Sequence, residues 1–244
     1  MNDYLTVLLF AAMPAAGNVA GGLLAEMLPF SRRGLSLSLH LAAGVVLAVI
    51  GIELMGEALG AEPPWAPVLG LLAGGGFAAL LDRSVDFIRS RMGDTKSSAG
   101  AWMIFIGVAV DLFSDGVMIG TGSTISLGLG LLLALGQVPA DIPEGFATIA
   151  TFKDKGLPRP RRMLLSLSFA LPVLLGATVG YWGVRGLPEI YKFMLLAFTA
   201  GILLTVAVEE IVGEAHEAAV GSRGGARVLV AGYALFALIS VSFE

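Results

Sequence analysis

Eight runs of mostly apolar residues, 4–28, 36–59, 65–81, 101–122, 126–152, 163–184, 193–215 and 228–243, occupy nearly all of this 244-residue chain. A helix needs roughly 20 such residues to cross the hydrocarbon core of a bilayer. Within lipid every backbone N–H and C=O must be satisfied by the segment itself, which restricts long apolar runs to helices. The expected fold is therefore an all-α integral membrane protein of eight transmembrane helices, a single membrane domain over residues 1–244, with residues 82–100 as a flexible cytoplasmic loop. The first run is not expected to be a signal peptide, because Asp3 leads it without a base and Arg32 and Arg33 come after it.

Composition supports the same reading. The chain is 56% hydrophobic and 14% charged, with a mean hydropathy of +0.85, where soluble domains carry roughly 25% charge. It has no cysteine, which excludes a disulfide scaffold, thiolate zinc sites and cysteine nucleophiles. Fifteen basic against 19 acidic residues give a net charge of −4 and a pI near 5.2, so no basic face exists for nucleic acid.

The bases set the orientation. One set of alternate loops receives Arg32, Arg33, Arg83, Arg89, Arg91, Lys96, Lys153, Lys155, Arg159, Arg161, Arg162, Arg223 and Arg227, whereas the other receives only Arg185 and Lys192. Cytoplasmic loops carry the excess of Lys and Arg, which predicts both termini outside the cytoplasm. An internal repeat is also visible. Residues 43–59 (AGVVLAVIGIELMGEAL) and 200–216 (AGILLTVAVEEIVGEAH) are identical at eight of 17 positions, with Glu53, Gly56 and Glu57 matching Glu210, Gly213 and Glu214. The two segments cross in opposite directions. That predicts an inverted repeat of helices 1–3 and 6–8 around helices 4–5, an arrangement that places sites near the midplane in many secondary transporters.

Ten acids lie inside the runs: Glu26, Glu53, Glu57, Asp111, Asp115, Asp141, Glu144, Glu209, Glu210 and Glu214, with no Lys or Arg there to neutralise them. A charge at mid-bilayer costs roughly 2.5–3.5 kcal/mol on insertion scales. Glutamates near span ends reach the interface, but Asp111, Asp115, Asp141 and Glu144 sit too deep for that. Asp111 and Asp115 are spaced i,i+4 and Asp141 and Glu144 i,i+3, so each pair projects from one helix face. The short connection makes these helices antiparallel neighbours, and four carboxylates facing one pocket need a cation, protons or water. Oxygen ligands suit hard or borderline cations. Pro139 precedes the second pair and Pro143 lies within it, and they are expected to open that helix, freeing carbonyls beside the acids. Pro14 and Pro172 mark two more expected interruptions.

The segments HLAAGVVLAVIGIEL from His40, DIPEGFA from Asp141 and AGILLTVAVEEIVGEAHE from Ala200 resemble the ZIP (zinc- and iron-regulated transporter-like) metal permeases, and the likeness extends over essentially the whole chain. DLFSDG at Asp111–Gly116 stands where that family has H-N-x-P-E-G, and Ala140–Gly145 matches its fifth-helix motif ending P-E-G. The resemblance implies transport of divalent cations toward the cytoplasm through a site between helices four and five. It also implies a homodimer and an elevator-like movement of helices one, four, five and six. Here the family's histidine is Asp111, its asparagine Leu112, its proline Ser114 and its glutamate Asp115. Its first fifth-helix ligand is Ala140, and a sixth-helix glutamate is Leu171. The surviving ligand set, Asp111, Asp115, Asp141 and Glu144, lacks imidazole. It is expected to hold one divalent ion, with preference moved from zinc toward Mn²⁺, Fe²⁺ or Mg²⁺.

Glu210, Glu214 and His216, with Glu217, form a candidate second metal site at the cytoplasmic end of the seventh run, and a solvated helix end is the alternative. His40 reads as structural, and Glu53 and Glu57 as a solvated face in preference to a funnel for incoming cations. The small-residue runs around Gly17–Gly22, with Asn18, serve close packing and a sliding surface. The partners expected are metal cations and lipid, with no organic cofactor and no nucleic acid, in the inner membrane of a prokaryote. The chain is not expected to be an enzyme. A non-transporting sensor or degenerate homologue is one competing reading. An intramembrane hydrolase with paired aspartates is weaker, since an acid/base pair normally faces its substrate from two elements.

Overall fold

The computed structural model describes residues 3–28, 32–92, 98–218 and 224–242, with backbone alone over 82, 85–92 and 98–104. The chain runs as α1 (Asp3–Met27), α2 (Arg32–Ala58), α3 (Trp65–Met92), α4 (Ser98–Ile125), α5 (Leu127–Asp154), α6 (Arg159–Val184), α7 (Glu189–Ala218) and α8 (Gly225–Val241). Five stretches are long and apolar enough to cross a membrane: α1, α2, Phe105–Ile125 of α4, α6 and α7. Trp65–Leu81 and α8 are shorter apolar helices. The 28 residues of α5 fall outside that set, because Gln137, Asp141, Glu144 and two prolines dilute its apolar stretch.

The expected loop at 82–100 is helical up to Met92 and again from Ser98. Residues 93–97, and with them Lys96, lie outside the described residues, as does Arg223. The expected interruptions at prolines are mostly corrected. α1 continues through Pro14 and α5 through Pro139 and Pro143, since a single lost hydrogen bond is tolerated where neighbouring helices bury the freed groups. Only α6 breaks, at Phe169 between Arg159–Ser168 and Ala170–Val184. Pro172 cannot donate to the Ser168 carbonyl, and its ring crowds that turn. α2 and α7 each widen into a π-helical turn, at Val49–Leu54 and Ala207–Ile211.

Single-residue chemistry sets the connections. Ser126 alone separates α4 from α5, and its Oγ accepts the Leu129 N–H at 3.0 Å, an N-cap that starts α5. Pro158 and Pro188 stand at the N-caps of α6 and α7.

The helices pack in close parallel pairs, α1 along α5, α4 along α6, α2 along α8 and α3 along α7. Each seam is closed by a reciprocal pair of glycines. Gly21 lies against the Ile142 carbonyl while Gly145 lies against that of Asn18, and Gly176 meets Phe113 while Gly116 meets Val173. Gly44 meets the Leu229 carbonyl and Gly232 that of Leu41, while Gly201 meets Leu71 and Gly74 meets Phe198. A Cβ at any of them would strike backbone, so the interhelical distance depends on its absence. One apolar core joins Val45, Val49, Leu54, Met118, Leu133, Leu203 and Phe236, and a second joins Val7, Leu112, Phe169 and Val173. Leu164, Leu167, Leu171, Leu175 and Val179 of α6, with Val230 and Leu238 of α8, face outward, as lipid-facing positions do.

Two expectations about acids are overturned. Glu26 is neutralised: Arg162 reaches it with Nε at 2.6 Å and Nη2 at 2.9 Å, and also donates to the Leu157 carbonyl. α6 begins earlier than its apolar run, which brings this base within the helix. Glu53 is no solvated face, being 8% exposed and accepting a 2.5 Å hydrogen bond from Ser240 Oγ of α8. Glu57 is exposed, as expected.

Candidate metal site

The four deep carboxylates line one cavity of about 70 Å³, room for a hydrated ion or a few waters. α4 supplies Asp111 and Asp115 from one face, and α5 supplies Asp141 and Glu144 together with Gln137 and Ala140. The opposite wall comes from Leu39 and Val46 of α2 and from Leu203, Val206, Glu210, Ile211 and Glu214 of α7. The cavity thus lies where α4 and α5 meet α2 and α7. No base lines it among the described residues.

Asp115 is fully buried and Asp141 is 2% exposed, while Asp111 and Glu144 are half-buried. Asp115 receives a hydrogen bond from Gln137 Nε2. Glu144 Oε2 accepts one from Asn18 Nδ2 of α1 at 3.2 Å. Among the described residues, buried side-chain oxygens without a partner include Asp111 Oδ1, Asp115 Oδ2, Asp141 Oδ2, Asn18 Oδ1, Gln137 Oε1 and Ser114 Oγ. Buried acceptors are normally satisfied, so a group of orphaned oxygens without a base describes a site that lacks positive charge. Among the described residues no three His, Asp or Glu side chains converge tightly enough to form a finished coordination shell; the acids surround a chamber.

The expected cytoplasmic-side group divides. Glu210 and Glu214 join the four carboxylates on the cavity wall. His216 does not line it. Its Nδ1 lies 2.7 Å from the Val212 carbonyl, and its ring meets that of His40 edge-on at 5.1 Å. His40 is buried, with Nδ1 2.7 Å from the Ser36 carbonyl, in keeping with a structural role. Of the substituted family ligands, Ala140 faces the cavity, Leu112 is buried in the α1–α4–α6 core, and Leu171 is 62% exposed on the outer surface of α6.

Two polar residues of the site, Asn18 and Gln137, were not singled out as ligands from sequence. Both are uncharged and so escape a search for charge in apolar runs. The available signal was Gln137 one turn ahead of Asp141 on the same helical face.

A membrane protein that is helical throughout its described elements, with a carboxylate-lined chamber that carries no base among the described residues, has the makings of a cation permease. Residues 89–240 match the ZIP Zinc transporter family, and the chain belongs to that family. It is similar to zinc transporter ZIP6 of Homo sapiens and of Pongo abelii, 26% identical to each over 128 residues. Those matches cover 52% of this chain and 17% of each relative, so the chain spans only a small part of their length.

Proposed function

We propose that this protein moves divalent metal cations across the cytoplasmic membrane toward the cytoplasm, holding them at Asp111, Asp115, Asp141 and Glu144. The observation that carries this reading is the set of unpartnered buried carboxylate oxygens, Asp111 Oδ1, Asp115 Oδ2 and Asp141 Oδ2, on residues that line one cavity with no base on it among the described residues. Membership of the zinc transporter family supports it. With oxygen ligands alone, the ion is a hard or borderline one, Mn²⁺, Fe²⁺ or Mg²⁺ in preference to Zn²⁺.

The eight helices span the membrane as an inverted repeat. In support, the offset of 157 residues that aligns the two sequence segments carries Gly44 onto Gly201 and Leu41 onto Phe198, so the α2–α8 contacts reappear as the α7–α3 contacts. The same offset brings the π-turn of α2 onto that of α7. By the distribution of bases, Leu39 and Glu214 stand toward the cytoplasmic ends of α2 and α7, so the cavity faces inward. α1, α4, α5 and α6 carry the acids past a wall of α2 and α7, with the glycine seams holding each group together, and the protein works as a homodimer.

Uptake into proteoliposomes across a panel of divalent metals tests the reading. Asp115→Ala and Glu144→Ala abolish flux while the purified proteins stay monodisperse in detergent. Unchanged flux in both variants would overturn the site, and zinc bound far more tightly than manganese, as two ions, would overturn the oxygen-only single-ion site.

A further inference from the structure

We infer that Gln137 is a neutral oxygen ligand for the transported cation and sets the site's preference for hard over soft divalent ions. This inference rests on the transport reading above. Gln137 precedes Asp141 by one helical turn, lines the cavity and is 2% exposed. Its Nε2 hydrogen-bonds Asp115, which as a carboxylate can only accept. That bond settles the orientation of the amide and leaves Oε1 as the end without a partner, buried with no donor beside it. A buried acceptor in this state is costly, and among the described residues the other polar side chains lining the cavity are carboxylates, which have no proton to offer when charged.

A cation in the cavity satisfies Oε1 and the carboxylates together. The amide carbonyl is a hard ligand of the kind that accompanies carboxylates around oxygen-loving cations. Gln137 therefore acts twice: its N–H holds one aspartate, and its carbonyl adds an oxygen ligand without adding a negative charge. Asn18 repeats the first half of this pattern at Glu144, with Oδ1 again buried and unpartnered, but it does not line the cavity. Gln137 is the residue through which the missing imidazole is compensated. Replacing its oxygen by nitrogen supplies the softer ligand that zinc favours.

The test is competitive uptake of Mn²⁺ against Zn²⁺ in proteoliposomes by the wild type, Gln137→Leu and Gln137→His. Gln137→Leu lowers Mn²⁺ uptake on the order of tenfold, the scale on which ligand-supporting residues act, and lowers the Mn²⁺:Zn²⁺ ratio. Gln137→His moves that ratio further toward zinc. A residue that only braces Asp115 would weaken both metals alike, so an unchanged ratio in both variants overturns the inference. Where Gln137→Leu is not recovered folded, the near-isosteric Gln137→Glu keeps an oxygen and keeps the manganese preference; a shift to zinc there also overturns it. Wild-type protein that moves no divalent metal defeats the transport reading itself, whereas transporting variants with the wild-type ratio defeat only the role of Gln137.

Discussion

The side-chain amide of Asn18 in α1 donates a 3.2 Å hydrogen bond to Oε2 of Glu144 in α5, across 126 residues of sequence. Asn18 is fully buried, and its backbone carbonyl is the one against which Gly145 packs. One residue thus joins the α1–α5 seam to an acid of the candidate site. Asn18→Leu keeps the volume but removes the donor. It is expected to lower metal uptake about tenfold through a misplaced Glu144, on the scale of lost outer partners at metal sites. Asn18→Asp places a second carboxylate against Glu144 and lowers uptake further. Uptake rates in proteoliposomes, compared at equal protein recovery, check both.

Arg162 and Glu26 form a two-pronged ion pair with side chains 10% and 5% exposed. Breaking such a pair from one side leaves an uncompensated buried charge and costs about 3 kcal/mol or more. Arg162→Ala is therefore expected to lower the thermal midpoint in detergent by roughly 6–12 °C for a chain of this size. Glu26→Gln, which retains an acceptor, lowers it by less. Thermal unfolding followed by size-exclusion chromatography ranks the two.

Gly201 of α7 and Gly44 of α2 lie against the carbonyls of Leu71 and Leu229. A larger side chain at either position must push two helices apart. Gly201→Leu and Gly44→Leu are each expected to destabilise the protein by several kcal/mol through overpacking. At Gly213 or Gly56, where a Cβ meets nothing, the same substitution has little steric effect. The contrast appears as loss of monodisperse protein for the first pair and recovery for the second.

The chain has no cysteine, so single thiols report topology without background. Glu62 between α2 and α3, and Asp154 at the end of α5, are both exposed, and the distribution of bases predicts them on opposite sides. A membrane-impermeant thiol reagent is expected to label Glu62→Cys in intact cells, and Asp154→Cys only after permeabilisation. Trp65, Trp182 and Tyr191 are exposed near the helix ends on the Glu62 side, where an aromatic belt belongs.

The four principal acids were legible because their signal is local. Asp111 with Asp115, and Asp141 with Glu144, share helical faces by spacing alone, and a helix period in an apolar run needs no knowledge of neighbours. The expectations at Pro14, Pro139 and Pro143 failed for the complementary reason. Whether Pro143 opens α5 depends on the helices packed around it, and here α1 closes against that stretch through Gly21 and Gly145. Glu53 was misplaced because Ser240, its donor, is 187 residues away. Nothing in the AGVVLAVIGIEL segment indicates that α8 covers it.

With the bilayer as solvent, the sequence alone determined the helical class and the excess of deep acids, and it set the expected spans and orientation. Those properties depend on run length, composition and period. Only the tertiary structure decided which acids share a chamber, moving Glu210 and Glu214 to the walls of Asp115 and Asp141 and leaving His216 beside His40. It also decided that two neutral amides reach these acids, Gln137 from the chamber wall at Asp115 and Asn18 from α1 at Glu144. Helices in lipid are sorted by close packing of small residues and by hydrogen bonds between them. Such contacts join residues distant in sequence, 126 positions apart for Asn18 and Glu144 and 187 for Glu53 and Ser240, and a one-dimensional pattern does not carry them.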